Sequence, residues 1–382
     1  MARRAWLALV LVALGTQPTL ALADDGGEAP QRWLTGVRFP SNMAWSSDGR
    51  LFFTEKETGD VRIVEDGNLL PDSFLHLDVV GGAEMGLLGI ALHPGFPDEP
   101  WVYVYFSSAA DQRNEVMRFR ADGNLATDRE FLIDGLELHG IHNGGDLAFG
   151  LDSTLFITVG DAAQSERAQI ENDIGGKVLR LNADGTIPLD NPFGDSPVYS
   201  IGHRNSFGIC VDPATGDVWE TENGPTSDDE VNRIVSGANY GWPDQLGPGG
   251  VLDGYVDPVL DYPQVIVPTG CAVWNGTLYF GAFDGIVRRL GLPPASPARD
   301  EAVADLGKGI TDLAVGPGDA LYVATVDTIY RLEGPPTGSI PTPAGVAPVV
   351  EEGGTTGWIA LGFVALAIAG LGAARLARGR RS

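Results

Sequence analysis

Cysteine is nearly absent. Cys210 and Cys271 are the only two in 382 residues, which excludes a disulfide framework as the basis of the fold. Positive charge is scarce as well: 25 lysines and arginines stand against 51 aspartates and glutamates, a formal charge of −26. Such a surface repels phosphate, so a nucleic-acid partner is excluded. The few basic residues are also unevenly placed. Arg3 and Arg4 open the chain, and Arg375, Arg378, Arg380 and Arg381 end it, so the part between is more acidic than the total states. What abounds is 52 glycines and 26 prolines, a composition that favours a turn-rich β protein over a helical one.

Both ends read as targeting segments. Residues 1–23 have the form of a signal peptide: Arg3 and Arg4, an apolar stretch from Ala5 to Leu14, and an Ala21-Leu22-Ala23 cleavage site. No charged residue occurs from Gly353 to Ala374. At about 1.5 Å rise per residue that length crosses a hydrocarbon core of about 30 Å. The pattern predicts a Pro/Gly-rich linker over 334–354, a transmembrane helix over 355–374 with Trp358 at the interface, and a basic cytoplasmic tail over 375–382. The expectation is an exported, extracytoplasmic body at 33–333, anchored in the membrane by that helix.

Within the body one unit recurs. Two apolar residues flank a small one, then a turn and a strand of β-formers follow. The triplets are Met43-Ala44-Trp45, Ile90-Ala91-Leu92, Leu147-Ala148-Phe149, Ile209-Cys210-Val211, Cys271-Ala272-Val273 and Leu313-Ala314-Val315. A spacing of roughly 40 to 60 residues is that of propeller blades. Six units of about four strands predict an all-β, six-bladed β-propeller. Blades converge on an axis, which explains the small column of Ala44, Ala91, Ala148, Cys210, Ala272 and Ala314. Cys271 stands one residue off that column and should face the other way, so a Cys210–Cys271 disulfide is not expected.

Chemistry-bearing residues gather in the loops. His142 lies in His142-Asn143-Gly144-Gly145, just ahead of a repeat strand. A histidine there serves either as a general base or as a loop-bracing group. Arg204, after His203, suits a bound carboxylate. Asp228, Asp229 and Glu230 follow the Gly224-Pro225 turn, and carboxylates beside exposed carbonyls suit calcium, though a solvated acidic turn reads the same way. Glu84 and Gly160-Asp161 are weaker signals at strand ends. Asn275-Gly276-Thr277 is formally a glycosylation sequon and equally a hairpin turn.

Several segments occur in one order: EMGLLGIALHPGF, HNGGDLAFG, TVGD, GKVLRLNADGTIPLDNPF, GHRNSFG, ENGPTSDDEVN and ANYGWP. Together they resemble the soluble PQQ-dependent sugar dehydrogenases, the glucose/sorbosone and aldose sugar dehydrogenase family, from about Trp33 to Leu332. The resemblance implies a six-bladed propeller that oxidises an aldose with PQQ and calcium. It makes His142 the base and Arg204 and Asn205 cofactor contacts, with Glu84 a polar position beside the quinone. It places one calcium on the carbonyls of Gly224 and Pro225, and a second, structural calcium on Asp229, Glu230 and the Tyr240 carbonyl.

Three positions depart from that pattern. Asp146 stands where the family has arginine after HNGG. Phe283 and Asp284 stand where a lysine is usual, and Gly309-Ile310-Thr311-Asp312 replaces an Arg-x-Arg-Asp run. Those cations would clamp a tricarboxylate; Arg288, Arg289 and Lys308 are the nearby candidates to replace them. Beside the dehydrogenase reading stand two others: a non-catalytic propeller that binds a carbohydrate or protein, and a calcium-dependent lactone hydrolase.

Overall fold

The computed structural model describes residues 29–249 and 254–333. Their strands form six sheets, each of at least four strands. The six-bladed propeller expected from the repeats is the observed fold. The blades begin at Pro40, Leu87, Gly144, Ser206, Pro268 and Ile310. The sixth is completed from the other end of the chain, where Gln31–Thr35 pairs antiparallel with Thr328–Glu333, so both ends of the body close the ring.

The core is not one mass but six layers, each between neighbouring blades. Phe52, Val61 and Ile63 of the first blade pack on Leu87, Val102 and Val104 of the second. Ala272, Trp274 and Val287 of the fifth pack on Leu313, Leu321 and Val323 of the sixth. Strand side chains alternate between faces. One parity therefore serves the preceding layer and the other the following one. Each innermost strand carries a register shift just ahead of its apolar triplet, and such bulges re-aim side chains at the rim of a barrel or channel.

This layering corrects the cysteine expectation. Cys210 and Cys271 are disulfide-bonded, with Cα atoms 5.7 Å apart. Cys210 faces the fifth blade from the fourth, and Cys271 faces the fourth from the fifth, within one cluster. A one-residue offset in the repeat is what brings the two together, because facing residues on adjacent blades have opposite parity.

The expectation of a transmembrane helix is also corrected. Among the described residues no helix is long and apolar enough to cross a membrane; the one helix there is the five-residue 3-10 turn Ser165–Gln169. The membrane is therefore not supported as a partner, nor is an anchored placement. The stretches read as signal peptide (1–23), linker (334–354), membrane helix (355–374) and tail (375–382) lie outside the described residues.

Candidate active site

The loops that enter the innermost strands and those that leave the second strands meet at one end of the ring. His142 precedes Gly144–Phe149, and Asp161 follows Thr154–Val159. Arg204 and Asn205 precede Ser206–Val211, and Asn223 and Gly224 follow Val218–Glu222. Residues distant in sequence are thereby joined by hydrogen bonds.

His142 is buried and held in the left-handed region at φ 61°. That conformation costs a non-glycine residue about 1–2 kcal/mol. The surroundings enforce it. The backbone N–H of His142 donates to Glu84 Oε2, which also accepts from Asn205 Nδ2 at 3.0 Å. Behind it, a Cβ on Gly160 would lie 2.1 Å from the His142 carbonyl oxygen, so only glycine fits. The ring is fixed through Nδ1, 2.7 Å from Asp161 Oδ1. Asp161 is anchored in turn by the Ala163 N–H at 2.7 Å and by Trp242 Nε1, which donates to Oδ2 at 2.9 Å. A carboxylate at Nδ1 makes Nε2 the basic atom of the imidazole.

Arg204 lies over the face of the same indole, its guanidinium carbon 5.4 Å from the centre of the Trp242 ring. Its Nη1 donates to the carbonyls of Asn223 at 2.7 Å and Gly224 at 2.9 Å. Burial pulls the Arg204 pKa below the ordinary arginine value, against Asp161, Glu84, Glu222 and Asp229, which hold it up. Arg204 Nε is buried with no acceptor among the described residues.

These features test the fit of the groups that the resemblance implies. A buried guanidinium N–H without an acceptor suits a carboxylate of the quinone. Arg204 Nε therefore fits a carboxylate at this end of the ring. Of the two carbonyls read for calcium, that of Gly224 accepts from Arg204 Nη1, and the Asn205 amide is engaged by Glu84 and the Gly144 N–H. The structure offers no such fit at the three departures. Asp146 is buried between blades, bonded to Asn42 and to the backbone N–H of Ile209. Arg288 is paired with Asp284 and Asp300, Arg289 with Glu301, and Lys308 with Asp327.

The other sequence-read metal positions fall elsewhere. Asp229 accepts from the backbone N–H groups of Gly224, Ile266 and Val267 at 2.7–2.8 Å; it braces the Gly224 turn. Glu230 and Tyr240 belong to a second buried cluster around His203. The Tyr240 ring stacks on His203 with centroids 4.8 Å apart, and its hydroxyl donates to the Arg233 carbonyl. Burial alone would lower the His203 pKa; Glu220 and Glu222 outweigh it and raise it to about 10. Glu230 is pushed up to about 8 by burial and then by Glu222. Sequence reasoning underrated Asp161 and passed over the roles of Trp242, Asn223 and Glu220. The order TVGD and GWP was the only signal for the first two, which meet across 81 residues.

The sequence profile of the Glucose / Sorbosone dehydrogenase family matches residues 37–332. The PQQ-bound aldose sugar dehydrogenase of Streptomyces coelicolor superposes with a TM-score of 0.75 at 30% identity, over 80% of this chain and 97% of that one. Quinoprotein glucose dehydrogenase B of Acinetobacter calcoaceticus is 32% identical over 56% of this chain and 52% of its own. The aldose sugar dehydrogenase YliI of Escherichia coli is 28% identical over 67% of this chain and 78% of its own. With fold, motif order and profile in agreement, the chain belongs to the glucose/sorbosone dehydrogenase family and is related to its soluble PQQ-dependent sugar dehydrogenases.

Proposed function

We propose that this member oxidises an aldose at its anomeric hydroxyl outside the cytoplasm. The observation that carries the reading is the pairing of an oriented base with an unsatisfied cation: His142 held by Asp161, beside Arg204 with a buried N–H lacking an acceptor. Bound PQQ supplies the hydride acceptor, and calcium the Lewis acid that polarises it. The chain's own residues do the rest. His142 Nε2 takes the hydroxyl proton of the sugar, and Asp161 stabilises the imidazolium that results. Trp242 keeps Asp161 aimed at the ring, and Glu84 holds the His142 backbone and Asn205 in register. Arg204 would pair with a carboxylate of the quinone, and the carbonyls of Gly224 and Pro225 would hold the cation.

The test is calorimetric titration of PQQ into the purified protein with calcium, followed by dye reduction with a panel of aldoses. Calcium-dependent binding and aldose-dependent reduction are expected. Absence of binding at high micromolar PQQ would overturn the reading. The second reading, a propeller that binds a carbohydrate or protein without catalysis, is favoured by one observation. The cations that could replace the missing clamp are all committed to carboxylates.

A further inference from the structure

The end of the ring opposite His142 has a cavity of its own. The innermost strands Pro40–Trp45, Leu87–Leu92 and Ile310–Gly316 enter from the His142 side and leave at that opposite end. Between their exits lies a cavity of about 580 Å³, walled by Trp45, Leu92, His93, Phe96, Val315 and Pro317. Ligand sites commonly span about 300–1,000 Å³. This wall is aromatic and apolar, and two donors at it lack acceptors among the described residues. Trp45 Nε1 is buried beside Gly316 without one. The Gly95 N–H donates to His93 Nδ1 at 3.2 Å, which leaves the ring proton on Nε2 with nothing to receive it. Burial holds the His93 pKa below the ordinary histidine value, so the ring is neutral at neutral pH. The carboxylate at the rim, Asp48, is paired with Arg50 at 2.7 Å. Such a wall suits an uncharged ligand with apolar surface and carbonyl oxygens.

The chain delivers a segment of that chemistry to the same place. The strand Thr328–Glu333 finishes at this end of the ring. Glu333 stands opposite Ala320, and Ala320 opposite Gly316 at the cavity wall. Neighbouring strands are about 4.8 Å apart, so Glu333 lies about 10 Å from that wall. Residues 334–350, GPPTGSIPTPAGVAPVV, follow directly, with five prolines and no charged side chain in a chain of formal charge −26. Proline has no N–H, favours polyproline II and leaves its carbonyls free to accept. Proline-rich segments dock in aromatic-lined grooves for these reasons.

We propose that residues 334–350 seat in this cavity of the same molecule, as the ligand of Trp45, His93 and Phe96. At about 3.1 Å per residue, Gly334 to Gly338 spans about 15 Å, enough to cross from Glu333 to the wall. Three residues per turn put Ile340 and Pro343 on one edge, against the aromatic side chains. The carbonyls between them supply acceptors for Trp45 Nε1 and His93 Nε2. The seat holds this segment on the face opposite His142, which keeps it clear of the substrate end of the ring.

The experiment is limited proteolysis of the full-length protein with thermolysin, which cuts before Val346 and Val349. The cleavage rate is compared with that of a synthetic peptide of residues 334–354 at the same protease concentration. Cleavage in the protein should be at least tenfold slower, because only the unseated segment is cut. V315E puts a charge into the wall at a residue already 37% exposed, and I340G/P343G alters the segment without touching the propeller. Both should restore the peptide's rate. Cleavage of the wild type at the peptide's rate overturns the seat, as does protection unchanged in both variants. Protection that fades on dilution assigns the cavity to the segment of a second copy and overturns the same-molecule seat. The assay contains neither PQQ nor sugar, so it is decided apart from the dehydrogenase reading.

Discussion

Asp312→Asn should flatten the loss of stability that this protein suffers as pH rises. At the ring's centre three side chains bridge neighbouring blades. Asn42 Oδ1 accepts from the Ile90 N–H, Asp146 Oδ2 from the Ile209 N–H and Asp312 Oδ2 from the Met43 N–H, at 2.7–3.0 Å. Asp146 and Asp312 are buried. Burial raises the Asp146 pKa to about 7, against its bonds from Ile209, Leu147 and Asn42. Burial, and then the charge of Asp146, raise Asp312 well above the ordinary 3.8. A carboxyl whose folded pKa lies above its unfolded value keeps its full stabilisation below about pH 4 and loses it as pH climbs through the folded value. For Asp146 the window runs from about pH 4 to about 7, and the total is about 4 kcal/mol at most. Roughly 3 kcal/mol of this falls between pH 5 and pH 8. Asp312 adds loss of the same sign. D312N keeps an oxygen for the Met43 N–H while removing its own titration and the repulsion on Asp146. Urea unfolding of wild type and D312N at pH 5, 6, 7 and 8 gives the two slopes, and their difference cancels the other titrating groups. The variant should gain on the wild type as pH rises, by at least about 1 kcal/mol at pH 8. Equal slopes, or a variant that falls behind, would refute the reasoning.

Replacing both cysteines by alanine should cost about 4 kcal/mol of unfolding free energy, from the 61-residue separation that the bond closes; denaturant midpoints measure it, and denatured wild type should show no free thiol. H142N should lower kcat about 10²- to 10⁴-fold with little change in KM, and D161N should follow it in the same direction, in steady-state dye reduction. R204K should weaken PQQ binding by about ten- to a hundredfold in calorimetric titration, since a charge-assisted bond contributes about 1.5–3 kcal/mol. G270A should lower the thermal midpoint, because its Cβ would lie 2.0 Å from Asp312 Oδ1.

The ring itself was legible because each blade repeats the same physical problem. A strand near the axis needs a small residue between two apolar ones, and six copies of that solution can be counted by eye. The closing strand could not be counted. Gln31–Thr35 has no repeat mate of its own and finds Thr328–Glu333 only when the ring is complete. The site was legible in half. Glu84, His142, Arg204 and Asn205 stand in ordered segments, and the structure joins them through Glu84 Oε2 and Asp161. Trp242 carries no acid–base chemistry, so a search for titratable residues passes over it, yet its indole contacts both the Asp161 carboxylate and the Arg204 guanidinium.

The misreadings share one cause, which is that a propeller puts function and cohesion between blades, whereas a repeat describes what happens within one. Cys271 looked misplaced against its own blade and is correctly placed against the neighbouring one. Asp146 looked like a lost cofactor contact. In the structure its carboxylate accepts bonds from Asn42 of the first blade and Ile209 of the fourth, so arginine cannot be restored there without removing that staple. Asp229 looked like a metal ligand because it stands in an acidic run, but the backbone N–H groups of Gly224 and of Ile266 and Val267, in the segment leading to the fifth blade, have taken its oxygens. In the first two cases a partner of the side chain lies on a different blade, and in the third the partners lie in loops at the blade's end. Spacing along the chain predicts which residues share a strand, and the parity of facing sheets then decides which of them meet.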